Sequence, residues 1–276
     1  MIKFFYITNK PDVALIAEEA GVDRIFVDLE QIGKQERQGG MDTVQSKHSL
    51  NDVETMHYIL SKAQLLVRSN PIHINSEVEI DAIVKNGADI IMLPFFKTVE
   101  EVRKFLCYVG GRAKTVLLIE TKEAVEVIDD ILALDGIDEM YIGLNDLHLS
   151  YGMTFMFQLL ADGTVDRLVE KFKKRGVPYG FGGIARLGGG MLPAEHVMAE
   201  HYRLGSTRAI LARAFCNSDK VIDEVELRET FNCGMQELRV LESTLSAQTA
   251  DFFESNRKFV QKSVSDIVES IKNKQS

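Results

Sequence analysis

The stretch VLLIETKEAVEVIDDILALDGIDEMYIGLND, residues 116–146, contains one complete strand–helix–strand unit. Its two ends, residues 116–120 and 140–143, are short continuous apolar runs, which is the pattern of strands covered on both faces of a parallel sheet. Between them, residues 121–132 carry apolar side chains at helical spacing, and the helix is expected to stop before Gly136. The stretch therefore predicts two parallel strands joined by a helical crossover.

Six further apolar runs of the same kind lie elsewhere in the chain, and helical patterns such as residues 11–20, 76–85 and 98–106 separate them. A strand followed by a helix, repeated eight times, predicts an α/β protein with a (β/α)8 TIM barrel. A doubly wound open sheet is the alternative, but it usually has a glycine-rich first turn, and here that turn reads TNKP, residues 8–11. The six further runs are residues 2–7, 24–29, 65–68, 90–94, 178–183 and 207–212.

The last apolar run ends near Ala212, so we assign residues 1–216 to a barrel catalytic domain and residues 217–276 to a C-terminal helical extension. The extension predicts two amphipathic helices. Their apolar stripes have two interpretations: the helices pack on the outside of the barrel, or they form an oligomer interface. Residues 31–49, which are polar and glycine-rich, are too long for a plain connection and predict a mobile loop over one end of the barrel.

Composition and charge exclude several classes of function. The 276 residues carry a net charge of −9, with a pI near 5.3. This acidic balance argues against binding to nucleic acid, which requires basic surfaces. No apolar run is long enough to span a bilayer, and the N-terminus lacks the pattern of a signal peptide. The scattered Cys107, Cys216 and Cys233 fit neither a disulfide framework nor a metal site, so we expect a cytoplasmic protein.

Two carboxylates follow neighbouring strands. In a TIM barrel, catalytic side chains lie at the carboxyl ends of the strands, and here Glu120 ends the fifth run and Asp146 follows the sixth. Two like charges at one barrel mouth either share a proton or bind a cation, and a pair without His or Cys suits Mg²⁺ or Mn²⁺. The alternative is that both residues cap helices. Capping explains Asp146 alone better, whereas the pair favours a metal site.

Arg68 ends the third apolar run. A guanidinium at the barrel mouth can hold a substrate carboxylate through two hydrogen bonds. The alternative is an ion pair with Asp28 or Glu30 at the end of the second run, which would also place Arg68 in the site. These two acids can orient Arg68 or a water molecule. His48, in the long loop, is a further candidate that can enter the site from above.

Glycines near the seventh run predict an anion-binding segment. The run GFGGI, residues 180–184, and the glycines at 188–190 offer backbone N–H groups, and TIM barrels often bind phosphate or carboxylate after strands seven and eight. Gly182 and Gly183 are therefore candidate substrate-binding residues. A flexible lid or a tight turn is an equally good interpretation. His148 lies close to the sixth run, but a solvated helix histidine is the preferred interpretation there.

Taken together, the strand-end motifs resemble those of the HpcH/HpaI aldolase and citrate lyase β-subunit family. The resemblance follows the family's order from about residue 2 to residue 215. Any one motif alone is unspecific, whereas the set is fairly specific. The motifs are FVDLE at 26–30, VRSNP at 67–71, GADIIMLP at 87–94, LIET at 118–121 and IGLNDL at 142–147.

The resemblance implies a metal-dependent barrel enzyme that makes or breaks a carbon–carbon bond next to a carbonyl group. It implies that Glu120 and Asp146 hold Mg²⁺ or Mn²⁺ and that Arg68 grips the carboxylate of a pyruvate-like or acyl fragment. It also implies that the backbone around Pro94 and Phe95 lines the pocket. In this family the C-terminal helix is commonly exchanged between subunits, so the resemblance favours a homo-oligomer that forms through the C-terminal helices.

The chain departs from the family at the position of the general base. The pyruvate aldolases carry His after the strand-two acid, and the citrate-lyase-like branch carries Asp; this chain has Gln31, in the sequence EQIG at 30–33. Glu30, His48 or a metal-bound water is left for the proton transfer. We therefore predict a lyase of the aldolase type that acts on a 2-oxo acid or related carboxylate through a metal-stabilised enolate.

The missing base keeps a second class of function open. An acyl-CoA lyase, a thioesterase or a sugar-acid biosynthetic enzyme would use the same metal and anion site, with a small carboxylate or a CoA thioester as its partner. A non-catalytic scaffold is the third hypothesis, and it leaves the joint occurrence of Glu120, Asp146 and Arg68 unexplained.

Overall fold

The structure, a computed structural model, describes residues 1–33, 48–221 and 223–275. These residues form eight parallel strands that pair in chain order, and the last strand pairs with the first to close a barrel. The predicted (β/α)8 TIM barrel is confirmed, and every predicted run lies within two residues of its strand. The strands are β1 (Lys3–Ile7), β2 (Arg24–Asp28), β3 (Gln64–Arg68), β4 (Ile90–Leu93), β5 (Lys114–Ile119), β6 (Glu139–Ile142), β7 (Tyr179–Ile184) and β8 (Arg208–Leu211).

Helices connect the strands and cover the barrel. The predicted helix at 121–132 is in fact two short helices, because Val127 leaves the helical conformation at φ −103° and ψ 17° and the β-branched residues beside it favour a helix only weakly. The predicted loop at 31–49 falls largely outside the described residues. The helices are α1 (Pro11–Glu19), α2 (Leu50–Ile59), α3 (Ser76–Lys85), α4 (Val99–Val109), α5 (Lys122–Glu126), α6 (Ile128–Leu132), α7 (Leu144–Ser150), α8 (Gln158–Ala161), α9 (Thr164–Arg175), α10 (Ala194–Leu204), α11 (Glu224–Ser246) and α12 (Ala250–Gln275).

The barrel interior holds an apolar cluster that is separate from the larger core between the strands and the outer helices. Because successive side chains on a strand point to opposite faces, β2 sends Arg24, Phe26 and Asp28 inward and leaves Ile25 and Val27 to the outer core. Arg24 lies at the amino end of the barrel, Phe26 in the apolar cluster and Asp28 at the carboxyl end. The interior therefore has charged layers above and below an apolar layer.

The amino end of the barrel is closed by a buried ion cluster. Arg24 donates two hydrogen bonds of 2.6 and 2.7 Å to Glu139, and Arg208 donates one of 3.0 Å to the same carboxylate. The guanidinium of Arg24 also lies over the ring of Phe5, 4.6 Å from its centroid. Burial raises the pKa of Glu139, but the two arginines outweigh this and lower it to about 2. The cluster is therefore fully ionised at neutral pH.

We expect the stability of the fold to fall in acid because of Glu139. Above pH 4.5, the ordinary pKa of this carboxyl, the ion cluster contributes fully. Between pH 4.5 and about 2 the unfolded chain binds a proton that the folded chain does not, so the free energy of unfolding falls, by roughly 3 kcal/mol in total. Urea unfolding followed by circular dichroism over this pH range measures the decrease.

The Glu139→Gln variant isolates this contribution. It leaves the buried Arg24 and the half-buried Arg208 without the carboxylate that they share, so we expect a loss of about 3–5 kcal/mol at pH 7 and a flatter acid dependence. Glu170→Gln, on the exposed surface of α9, is the matched control and is expected to change neither quantity measurably. An unchanged acid dependence in Glu139→Gln would contradict this account.

The C-terminal extension is helical, as predicted. Helix α11 packs against α1, and α12 packs against α8 and α10, so much of both apolar stripes is covered by this chain itself. Phe231 and Val260 are buried there, whereas Phe252 and Phe259 are 39% and 43% exposed. The division at residues 216 and 217 and the homo-oligomer stay predictions. Within the described ranges, no helix combines the length and apolar character needed to cross a membrane.

Candidate functional site

A cavity of about 600 Å³ opens at the carboxyl ends of the strands. Its volume is typical of small-molecule sites, which span about 300–1,000 Å³. Most of the predicted site residues line it, whereas Glu30, Pro94 and Phe95 are outside its lining. The predicted residues in the lining are Arg68, His48, Glu120, Asp146, Gly182 and Gly183.

Arg68 is held by the acids of β2. Its Nε and Nη2 donate to the two carboxylate oxygens of Asp28 at 2.8 and 2.9 Å, because Asp28 and Arg68 are paired residues in the β2–β3 register. Glu30 Oε2 lies 3.3 Å from Nη2, and Glu120 Oε1 lies 3.8 Å from Nη1. The ion pair that stood as the alternative role of Arg68 is therefore present, and it lies in the wall of the cavity.

This arrangement keeps Arg68 charged. Burial lowers the pKa of the guanidinium, but Asp28, Glu30 and Glu120 together outweigh burial and raise that pKa well above its ordinary value. Arg68 thus offsets part of the repulsion among three nearly buried carboxylates. Nη1 is the nitrogen of the guanidinium that faces Glu120, which follows β5.

Glu120 is 3% exposed and is fixed by backbone. The N–H of Phe95 donates to its Oε2 at 3.3 Å, and Phe95 has a left-handed φ of 50°, unlike any other non-glycine residue in the described ranges. Gly143 makes room for it, since a Cβ there would lie 2.6 Å from Glu120 Cγ. Thr121, not Glu120, caps the following helix by accepting from Ala124 N–H. The capping interpretation of Glu120 is therefore wrong.

Asp146 lies in the first turn of α7 and is 9% exposed. Gly143 occupies the N-cap position of that helix, and no side chain caps it, so Asp146 is not the N-cap residue. The positive end of a helix dipole favours a carboxylate at this position. Glu120 and Asp146 are thus both nearly buried carboxylates in the wall of one cavity.

The donor set fits a hard divalent cation. Among the described residues, no group of three or more His, Cys, Asp or Glu side chains is arranged to hold a metal. Magnesium is commonly held by one or two carboxylates, with water and substrate oxygens as the other ligands. Two carboxylates in the wall of one cavity, as Glu120 and Asp146 are, match that pattern; the nitrogen and sulfur ligands that zinc prefers are a different set.

The two histidines near the mouth are both buried. His48 is 8% exposed, and its Nδ1 accepts a hydrogen bond of 2.9 Å from the backbone N–H of Asp28. His148 is 7% exposed, with its Nδ1 3.2 Å from the carbonyl oxygen of Leu144 in the same helix. The prediction of a solvated His148 is therefore wrong, since α7 packs against β7 and buries this side chain.

The glycine run at 180–184 lies inside β7 and overlaps the apolar run predicted at 178–183, so it belongs to the strand and not to an anion-binding loop after it. A Cβ at Gly180 would lie 2.3 Å from the carbonyl oxygen of Arg208, so glycine there allows β7 to approach β8 closely. Tyr141 also links β7 to β8: its hydroxyl donates to Gly182 O at 2.5 Å and accepts from Ile210 N at 2.8 Å. Closure of the barrel thus accounts for Gly180, and the role of Gly182 and Gly183 in anion binding stays a prediction.

Sequence reasoning missed one wall of the cavity. The segments after β1 and β8 line it with polar residues, among them Asn9, Lys10, Asn217 and Ser218. Lys10 Nζ donates to the carbonyl oxygen of Ser218 and to Asp219, both at 2.8 Å, which joins the two segments. The sequence could have indicated these residues, because they follow the carboxyl ends of β1 and β8, where catalytic side chains lie in a TIM barrel.

Comparisons with known proteins agree with this fold. The family model for HpcH/HpaI aldolase/citrate lyase matches residues 2–156. An HpcH/HpaI aldolase from Desulfitobacterium hafniense DCB-2 is 17% identical with a TM-score of 0.60, over 76% of this chain and 86% of that one. The citrate synthase SbnG is 16% identical with a TM-score of 0.57, over 76% and 85% of the two chains.

A third solved structure, macrophomate synthase, is 17% identical with a TM-score of 0.53 and covers 77% of each chain. At these identities the likeness to solved structures shows the fold alone. No curated protein sequence matches the chain.

Proposed function

Because this chain belongs to the HpcH/HpaI aldolase/citrate lyase family, we propose that it is a divalent-metal-dependent carbon–carbon lyase of the aldolase type. Its substrate would be a 2-oxo acid or a related carboxylate. The observation that carries the proposal is the convergence of Arg68, Glu120 and Asp146 on one cavity. All three lie within residues 2–156, the part of the chain that the family model matches.

Glu120 and Asp146 would hold Mg²⁺ or Mn²⁺. The metal, when bound, supplies positive charge that polarises a substrate carbonyl and stabilises an enolate. The chain's own part is to fix the donors: the N–H of Phe95 orients Glu120, Gly143 leaves it space, and the first turn of α7 carries Asp146. Such preorganisation lowers the cost of arranging charge during the reaction.

Arg68 would bind the carboxylate of the substrate. Its permanent charge favours an anion, and its double hydrogen bond to Asp28 fixes the plane of the guanidinium. In the cleavage direction, the hydroxyl proton of the substrate leaves to a base, the carbon–carbon bond breaks, and the electron pair ends on the enolate oxygen. The negative charge therefore develops close to a fixed cation, where it is stabilised most.

The test of the proposal is turnover that depends on the metal. Purified protein is incubated with pairs of a 2-oxo acid and an aldehyde, and in parallel with acyl-CoA thioesters, in the presence of Mn²⁺. We expect carbon–carbon bond formation or cleavage that stops when EDTA removes the metal and returns when Mn²⁺ is added back. Turnover that survives chelation would overturn the proposal, and hydrolysis of thioesters alone would favour the thioesterase alternative.

A glycine substitution tests the metal site without changing a ligand. Gly143 has φ −80°, which alanine tolerates, so Gly143→Ala is expected to fold. Its methyl group would displace Glu120, and disturbing a metal ligand through its supporting shell typically weakens metal binding by about 10–100-fold. Isothermal titration with Mn²⁺ measures the change. An unchanged affinity would show that Glu120 is not a ligand.

We also propose a cytoplasmic homo-oligomer that forms through α11 and α12. The three cysteines are all unpaired, which suits a reducing compartment. The exposed rings of Phe252 and Phe259 lie on α12 and would be covered in such an assembly. Light scattering of the purified full-length chain tests the oligomeric state.

A further inference from the structure

The pairing of β7 with β8 shifts register beside the cavity. Gly180 is paired with Arg208 and Gly183 with Ile210, so residues 180 to 183 of β7 lie opposite residues 208 to 210 of β8. This is the pattern of a β-bulge, in which one strand holds an extra residue and the hydrogen-bond ladder is locally interrupted. Gly182 lies within the bulge with a left-handed φ of 58°, which glycine adopts without steric cost.

The hydroxyl of Tyr141, on β6, bonds to both strands at this bulge. It donates to the carbonyl oxygen of Gly182 at 2.5 Å and accepts from the N–H of Ile210 at 2.8 Å. Tyr141 is 1% exposed, and burial raises the pKa of its hydroxyl, so the group keeps its hydrogen and can make both bonds. One side chain therefore pairs two buried backbone groups at the point where the ladder is interrupted.

The backbone of Gly182 is in turn a contact surface for α7. A Cβ at Gly182 would lie 2.9 Å from Leu144 Cδ1, so the Leu144 side chain packs directly on this glycine. Leu144 is the first residue of α7 and is 1% exposed. Because no side chain in the described ranges caps α7, the packing of Leu144 has a larger part in fixing its first turn. Asp146, a proposed metal ligand, lies in that turn.

We infer that Tyr141 is a positioning residue for the metal site: through the bulge at Gly182 it fixes Leu144, and with Leu144 the turn of α7 that carries Asp146. This inference rests on the proposed function and deepens it. Bulges are common next to active sites, where they set the direction of neighbouring groups. Residues that support a metal ligand from outside the coordination sphere typically change metal affinity by about 10–100-fold.

Tyr141→Phe removes the hydroxyl and keeps the ring. Gly182 and Ile210 then lose the partner that they share, so we expect the affinity for Mn²⁺, measured by titration calorimetry, to fall by about tenfold. The matched control is Tyr179→Phe on β7. The hydroxyl of Tyr179 is also buried and donates to Leu204 O at 2.6 Å, but this residue is outside the lining of the cavity.

The control separates a positioning role from a structural one. Both variants leave a buried carbonyl oxygen without its partner, so we expect similar decreases in melting temperature. Only Tyr141→Phe is expected to lose affinity for Mn²⁺. An unchanged affinity in Tyr141→Phe, or an equal loss in both variants, would overturn the inference.

Leu144→Val tests the next step toward Asp146. Valine is one carbon shorter and withdraws its methyl groups from Gly182, so we expect a weaker affinity for Mn²⁺. If Tyr141 acts through this contact, the double variant binds Mn²⁺ about as weakly as the weaker single variant, because residues that share one contact are not additive. Losses that multiply would mean that Tyr141 does not act through Leu144, which contradicts the inference.

A readout without metal distinguishes the failure of this inference from the failure of the proposed function. The N–H of Leu147 donates to Gly143 O at 3.0 Å in the first turn of α7, and its hydrogen exchange reports how firmly that turn is held. We expect faster exchange in Tyr141→Phe than in the unmodified protein or in Tyr179→Phe. If the unmodified protein binds no Mn²⁺, the metal site is wrong and the exchange alone decides: equal rates in the three proteins overturn the positioning role of Tyr141.

Discussion

Replacing Glu120 by glutamine is expected to lower kcat/KM by roughly a thousandfold and to remove most of the affinity for Mn²⁺. Glutamine has the same shape as glutamate but no charge, so the variant keeps the packing beside Gly143 and loses an anionic ligand. Charge stabilisation by a bound metal contributes several kcal/mol to the transition state, and each 1.36 kcal/mol corresponds to a factor of ten in rate. Steady-state kinetics and titration calorimetry with Mn²⁺ measure the two effects.

The matched control is Glu126→Gln. This residue is exposed on α5, six positions after Glu120, and is outside the lining of the cavity. The same chemical change there is expected to leave both kcat/KM and Mn²⁺ affinity unchanged. If Glu120→Gln instead kept its activity and its affinity for Mn²⁺, the metal site at the ends of β5 and β6 would be wrong.

The sequence predicted the fold closely because the barrel's strands are continuous apolar runs. A strand buried on both faces is apolar at successive positions, so its ends are clear in the sequence. Charged residues such as Glu120 and Arg68 are therefore easy to recognise where each run ends. The strand-end rule then sufficed to select Glu120, Asp146 and Arg68 for one cavity.

The sequence did not predict residue contacts that depend on strand register or on a long connection. The alignment of Asp28 with Arg68 follows from the β2–β3 register, which adjacent apolar runs do not specify. His48 lies twenty positions after Asp28, and no local pattern indicates that its Nδ1 returns to the Asp28 backbone. The role of Gly180 was not predicted, because a close approach between β7 and β8 and a flexible loop both favour glycine in the sequence.

Replacing Arg68 by methionine is expected to destabilise the protein by about 3–5 kcal/mol, because Asp28, Glu30 and Glu120 lose a cation that pairs with all three. Urea unfolding at pH 7 measures this loss. The control is Arg112→Met, which breaks an exposed pair with Asp81 and is expected to cost about 1 kcal/mol at most.

Arg68→Lys separates the binding role from the structural one. Lysine keeps the positive charge, so we expect most of the stability to remain. The planar guanidinium of arginine holds both oxygens of Asp28 and at the same time presents an N–H to a ligand, which lysine cannot do. A hydrogen bond to a charged group contributes about 1.5–3 kcal/mol. We therefore expect kcat/KM for a 2-oxo acid to fall by about 10–100-fold. The penalty should disappear for the corresponding ester, which has no carboxylate; an equal penalty for acid and ester would mean that Arg68 only positions the acids around it.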